Sequence, residues 1–291
     1  MTIGFKNILI MGMGLLGGSI AKSLKKRNGD IYISAYDPDE DSLQAAINEK
    51  VLDNAYSYPS PPLPEADLVI LAVDPQHIPP YLDFFTEKNY QGIVTDVASI
   101  KSSLWQYWKR LEKAPPFQFI SSHPMAGSEK SGYMASQDSL FEGAACILCP
   151  YKKITHFDTI ADLSTFWILL GCQTPVLLYP EEHDKLIGLI SHFPHLVAVM
   201  LTRIAKKRAS SSSLLKTIIG PGFKDTTRIA QGNPQLWKNI LYGNRETMLE
   251  LLNDLQEEIT HLQKALHSKD HIQEYLHETA LFRKKIQDNS S

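Results

Sequence analysis

The feature that most constrains this chain is Gly12-Met13-Gly14-Leu15-Leu16-Gly17. A G-x-G-x-x-G run alone is weak evidence. Here it follows the apolar stretch Phe5–Met11 and opens a segment in which Leu16, Ile20 and Leu24 share one helical face. In such a strand–turn–helix unit the first glycine permits the tight turn and the second lets the backbone approach a diphosphate. The third lets helix and strand pack closely. The helix N-terminus then presents unpaired amides to phosphate oxygens. Asp37 stands twenty residues after Gly17, just past the apolar stretch Ile31–Tyr36. Its carboxylate can accept hydrogen bonds from adenosine ribose hydroxyls and would repel a 2′-phosphate, which points to NAD rather than NADP. The residues assigned to the dinucleotide are Gly12, Met13, Gly14, Leu15, Leu16, Gly17, Asp37 and Val73, the last closing the apolar stretch Leu68–Val73 before Asp74-Pro75.

Strand and helix signals alternate through the first half, the pattern of a largely parallel sheet covered by helices. Further strands are predicted at Gly92–Thr95, Phe117–Ser122, Ala144–Cys149 and Pro175–Tyr179, with helices near Asp39–Glu49 and Thr155–Leu170. Tyr58 to Pro64 carries four prolines and reads as a surface connection. After Pro180 the period changes. Leu186, Ile187, Ile190, Leu196, Val197, Met200, Leu201 and Ile204 fit a long helix bent near Pro194. Leu249, Leu252, Leu255, Ile259, Leu262 and Leu266 recur every three or four residues, and Ser210–Ser213 reads as a helix junction. The expected fold is α/β: a Rossmann-type dinucleotide-binding domain over residues 1–178, then an all-helical domain over 179–291. Periodicity leaves open whether the helical stripes pack within one chain or between two.

Composition narrows the function classes. With 43% hydrophobic and 21% charged residues the chain is an ordinary globular one, and a net charge of −3 creates no field that attracts nucleic acid or an acidic membrane. Cys146, Cys149 and Cys172 are too few for a disulfide scaffold. The CxxC spacing of the first two places them on opposite faces of a strand, which favours buried thiols over a metal or redox site. Without a visible secretion signal or a run of 18 apolar residues, the expected location is the cytoplasm.

Several segments remain: Asp96-Val97-Ala98-Ser99-Ile100-Lys101, then His123-Pro124-Met125-Ala126-Gly127-Ser128-Glu129 just beyond the predicted strand Phe117–Ser122. The helical half adds Glu182-His183-Asp184, Ser191-His192-Phe193-Pro194-His195 and Gly222-Phe223-Lys224-Asp225-Thr226-Thr227-Arg228-Ile229-Ala230. A histidine can accept a proton from an alcohol at neutral pH, a serine can orient the ring or the hydroxyl, and an arginine can clamp a carboxylate with two bonds. Each also has a structural reading. His123 could pack, Ser99 could cap a helix, Arg228 could form a salt bridge, Trp237 could fill a helix contact, and His183 could bond at a helix start. His192 and His195 are taken to lie on different sides of their helix, His195 toward the pocket and His192 packed.

Together with the glycine motif, and in this order between Ile8 and Asn244, these segments resemble the prephenate dehydrogenase family, including its arogenate-using members. That family oxidatively decarboxylates prephenate or arogenate in tyrosine biosynthesis. The resemblance implies His123 as the catalytic histidine with Ser99 beside it. It implies Arg228, His195, Ser99, Glu129 and Trp237 as substrate-side residues, with Asp225 at a further position of the motif. Lys224 stands where arginine is common, which leaves its role undefined. The expected reaction is prephenate to 4-hydroxyphenylpyruvate, carbon dioxide and NADH, with arogenate to tyrosine as the alternative. The partners implied are a small anionic substrate and a second copy of the chain, joined through the helical domain. A β-hydroxyacid dehydrogenase and a non-catalytic NAD-binding protein are more distant readings. The lysine expected of the former is not evident in the helical half, and intact Ser99, His123 and Arg228 argue against the latter. No compact ligand set calls for a metal.

Overall fold

The computed structural model describes residues 4–57, 64–128, 130–151, 154–209 and 215–288. Its first part runs β1 (Asn7–Met11), α1 (Leu15–Arg27), β2 (Tyr32–Tyr36), α2 (Glu40–Asn48), β3 (Asn54–Tyr56), β4 (Leu68–Leu71), α3 (Ile78–Glu87), β5 (Ile93–Asp96) and α4 (Ser102–Arg110). It continues through β6 (Gln118–Pro124), β7 (Cys146–Pro150), α5 (Phe157–Leu169) and β8 (Val176–Leu177). The strands form one sheet in the order β3-β2-β1-β4-β5-β6-β7-β8. Pairing is parallel from β3 to β6; β7 then runs antiparallel to β6 and parallel to β8.

β4 is apolar along its whole length and β1 is apolar after Asn7, because helices cover both faces. Alternate residues of β1 show it. Ile8 and Ile10 pack with Ile20 and Leu24 of α1 and with Leu163, Phe166 and Trp167 of α5. Leu9 and Met11 face the other way, to Ile78, Leu82 and Phe85 of α3 and Leu104 and Trp108 of α4. Each such side chain taken fully from water contributes roughly 1.5–3 kcal/mol. From β1 the chain passes to β2 on one side, while β4 lies on the other. That reversal opens a crevice at the carboxyl ends of β1 and β4, where the glycine turn and Val73 emerge.

In the sheet half the local pattern missed β3 and α3, drew β1, β4 and β8 too long and ended β6 too early. β3 is a three-residue, half-buried strand paired with β2, too short for a period to register. α3 carries Pro79 and Pro80 in its first turn, where a missing N–H breaks no helical bond. β6 does not stop at Ser122: His123 and Pro124 continue it, paired with Ile147 and Cys146 of β7. Cys146 and Cys149 do lie on opposite faces of β7, and all three cysteines are free and buried.

Beyond the sheet come α6 (Pro180–Ile187), a wide π-helical turn at Gly188–His192, α7 (Phe193–Ala209), α8 (Leu215–Ile218), α9 (Pro221–Thr227), a 3₁₀ turn at Arg228–Gln231, and α10 (Pro234–Gly243). The expected bend is that π-turn, which ends just before Pro194, a residue with no N–H to continue an ordinary ladder. By length and composition the run Pro180–Arg208 is apolar enough to cross a membrane, but its polar side chains His183, Asp184 and His192 are buried in the network described below. Residues 1–244 form one compact unit. The second, 245–291, comprises α11 (Arg245–Ala265) and α12 (Lys269–Asp288), which pack on each other. The Leu249–Leu266 stripe lies on α11 and the turn after it. Residues 210–213 fall outside the described residues, as do 58–63 of the proline-rich connection.

Candidate active site

The glycine turn is built as a dinucleotide requires. Gly12 has φ 99°, and a Cβ there would collide with the Ala72 carbonyl; a Cβ on Gly17 would strike the Gly12 carbonyl. Gly14, immediately before α1, faces open space, so its bare backbone can be approached closely. Asp37 Oδ2 accepts the Met13 N–H at 2.5 Å, and Oδ1 accepts the Asp39 N–H at 2.8 Å. The carboxylate is thus locked beside the turn, with lone pairs left for ribose hydroxyls. Met13 itself is fully buried in the core and its N–H is committed to Asp37, so its part is to hold the turn. Leu15, Leu16 and Val73 line the adjoining cavity.

That cavity, about 660 Å³, is bounded on one side by Gly14 and Val73 and on the other by Ser99, His123, Arg228 and Trp237. His123 is brought there by β6, and its ring leads away from the cavity into a chain of hydrogen bonds. His123 Nδ1 is 2.9 Å from His183 Nε2, and His183 Nδ1 is 2.8 Å from Asp184 Oδ1. Asp184 also accepts the Lys101 N–H at 2.8 Å and the Ser102 N–H at 2.7 Å. α4 has no capping side chain of its own, so the α6 carboxylate supplies its cap from outside.

The protonation pattern follows from chemistry. Burial alone would raise the Asp184 carboxyl, but His183 and the two backbone N–H groups outweigh it and hold the pKa below its usual value. An ionised carboxylate only accepts, so His183 Nδ1 carries the proton. Burial, ahead of the opposing pull of Asp184, keeps His183 below the ordinary imidazole range and therefore neutral, so its Nε2 is an acceptor. His123 must then donate from Nδ1. Burial first, then the Lys101 charge, holds His123 well below 6.5. Its Nε2 is left as an unprotonated base.

The other predicted residues divide. Ser99 lines the cavity and does not cap α4, whose preceding residue is Lys101. Arg228 lines it from the 3₁₀ turn, and Lys130 from the loop after β6. Trp237 also lines it, stacked on His195 with ring centroids 3.4 Å apart and planes 11° from parallel. The expected split of the two histidines is corrected. Residues three apart on a helix are only about 60° apart, and both rings lie against Trp237, His192 edge-on at 6.2 Å. His192 is the one that lines the cavity, while His195 backs the tryptophan. Lys224 and Asp225 are exposed on α9. Glu129 lies outside the described residues.

Sequence reading left His183 undecided and missed Lys101, Asn239 and Asn244. Asn244 Nδ2 donates to the Asp184 carbonyl at 2.7 Å and lies 3.3 Å from His192 Nδ1. Asn239 ties α10 to Asp74 at 2.7 Å, leaving Asp74 Oδ1 buried without a bond. The signal for Asp184 was its place beside His183, but nothing local names its partners.

Comparison with known proteins places the chain in a family. Residues 20–176 match the family model described as prephenate dehydrogenase, nucleotide-binding domain, and residues 179–281 match prephenate dehydrogenase, dimerization domain. The chain is 33% identical to the prephenate dehydrogenase of Bacillus subtilis over 90% of its length and 71% of that protein. It is 30% identical to the cyclohexadienyl dehydrogenase of Zymomonas mobilis, over 93% of this chain and 91% of that one. Among solved structures, the prephenate dehydrogenase of A. aeolicus in complex with hydroxyphenyl propionate and NAD+ superposes with a TM-score of 0.85 at 28% identity, covering 98% of this chain and 100% of that one. The arogenate dehydrogenase of Synechocystis gives 0.78 at 27% identity, over 96% and 99%.

Proposed function

The chain belongs to the prephenate dehydrogenase family of NAD-dependent oxidoreductases, and on that premise we propose that it converts prephenate to 4-hydroxyphenylpyruvate and carbon dioxide. The observation that carries this reading is the Asp184–His183–His123 chain, which ends in an unprotonated nitrogen beside the cavity that the glycine turn adjoins. Bound NAD supplies the hydride acceptor. His123 Nε2 takes the proton of the substrate hydroxyl as hydride leaves the same carbon. The bond to the ring carboxylate breaks, its electrons enter the ring, and carbon dioxide departs. His123 then returns its proton to the phenolic oxygen. Ser99 orients the hydroxyl, and Arg228 holds a substrate carboxylate. His195 acts through Trp237, which forms a wall for the ring.

Prephenate and arogenate differ only at the side chain, keto against amino. Arg228 and Lys130 among the cavity residues favour a dianion without an ammonium group. One observation favours arogenate: Asp74 lines the cavity and keeps a buried, unbonded oxygen that an ammonium would satisfy. Incubation with NAD and each acid, following NADH and carbon dioxide, tests the choice. We expect kcat/KM to favour prephenate by about tenfold or more, since holding the arogenate ammonium in a cavity that Arg228 and Lys130 also line costs like-charge repulsion of about 1 kcal/mol or more. The reverse preference assigns arogenate, and no turnover of either overturns the reading.

For the cofactor, NAD is expected to be preferred to NADP because Asp37 holds a negative charge where a 2′-phosphate would sit. Asp37→Ser should reduce that preference by about tenfold or more, given repulsion of a few kcal/mol between charges about 4 Å apart. Comparable wild-type kcat/KM with the two cofactors would contradict it. We also propose a homodimer through the helical half. α11, α12 and the turn between them leave Leu249, Leu266, Leu276, Leu281 and Phe282 more than half exposed, an apolar area that a second copy would cover. A concentration-independent monomer mass in sedimentation would rule this out.

A further inference from the structure

Lys101 has no part in the chemistry above, yet its side chain is fully buried. An ammonium in a protein interior is tolerated only when its donors are matched. Here all three are. Lys101 Nζ donates to Asp96 Oδ1 at 2.7 Å, to the Ala98 carbonyl at 2.7 Å and to the Ser122 carbonyl at 2.8 Å. Those carbonyls belong to the residues immediately before Ser99 and His123. Asp96 is fixed in turn by the Ala98 N–H at 2.8 Å and by the Ser121 hydroxyl.

Building on the roles proposed for Ser99 and His123, we propose that Lys101 is a positioning residue: its ammonium ties the loop carrying Ser99 to the strand carrying His123 and sets the distance between them. The two carbonyls converge on one point, and their dipoles would repel each other without a cation there. A neutral side chain of the same length leaves that repulsion in place, and the loop after β5 moves away from β6. The Lys101 backbone adds a third tie, since its N–H holds Asp184 at the far end of the histidine chain. One residue therefore places the serine, the base and the carboxylate that fixes the tautomer of that base.

The same charge bears on the ionisation of His123. The groups around that ring are Lys101, backed by Asp96, from the segment after β5; His183 and Asp184 from α6; and His192 from the π-turn. The neighbouring strand β7 presents Ile147, which does not titrate. Lys101 opposes protonation of His123, so loss of its charge lets the ring protonate at a higher pH.

The test is Lys101→Met, close in length and uncharged. In parallel, Asp96→Asn with Lys101→Met removes both charges and spares the interior an unpaired carboxylate; it decides the question if the single variant does not fold. Thermal unfolding and NAD affinity establish that the dinucleotide end is intact. We expect kcat to fall by about 10- to 100-fold, as a small displacement of reacting groups causes. KM should change less, and the acid limb of kcat/KM should move to higher pH. A folded variant with lowered thermal stability but wild-type kcat and an unmoved acid limb overturns the proposal and leaves Lys101 a structural residue. His123→Asn measured alongside separates the two levels. If it is inactive while the lysine variant is normal, only the Lys101 proposal fails. If it is active, the assignment of the base fails and the Lys101 proposal falls with it.

Discussion

Replacing His123 by asparagine is expected to lower kcat by about 10²-fold or more, the usual worth of a positioned general base. The amide can still donate to His183 Nε2, so the hydrogen-bond chain behind it keeps a partner and NAD affinity should be unchanged. What disappears is the lone pair facing the cavity. The wild-type pH profile provides an independent check. As the proposed base His123 would work in its neutral form, and burial, ahead of the nearby Lys101 charge, holds its pKa well below 6.5. Activity should therefore stay level through neutral pH and fall only as pH drops through that lowered value. A folded asparagine variant with nearly wild-type turnover would return His123 to a packing role. So would a base-dependent limb above pH 6.5.

Asp184→Asn is expected to cost about as much, on the order of 10²-fold in kcat, without touching substrate. The carboxylate accepts from three donors at once: His183 Nδ1, the Lys101 N–H and the Ser102 N–H. An amide has one oxygen and one NH₂, so at least one of those donors must face another donor. If the conflict falls on α4, the helix loses its cap and the buried N–H costs about 1–3 kcal/mol of stability. If it falls on His183, that ring turns its lone pair to the amide and its Nε2 becomes a donor. His123 Nδ1 must then accept, its proton moves to the cavity side, and no base remains. Asp184→Asn should thus combine a lower melting temperature with a larger loss in kcat than in substrate affinity. Wild-type kcat in the folded variant would show that the chain of bonds has no part in the reaction.

The dinucleotide end was legible because its constraints are local. Gly12 and Gly17 are demanded by backbone that passes too close for a Cβ, and Asp37 is set at the end of the very next strand. The apolar runs of β1 and β4 are equally local, since burial on both faces dictates every residue. The histidine end of the cavity was legible in its residue types and not in its connections. His123 and His183 are 60 residues apart, and Lys101 and Asp184 are 83 apart. No helical or strand period relates them.

The residues of the chain by themselves determined an alternating α/β half, a turn built for a diphosphate, a helical half, and a histidine, a serine and an arginine suited to one reaction. Tertiary structure alone decided that β6 runs on through His123, that α6 caps α4 with Asp184, and that Lys101 holds the two segments together. The physical reason is that these are pairings of buried charge and backbone dipoles. Each becomes worth its desolvation only when folding has removed water from both partners.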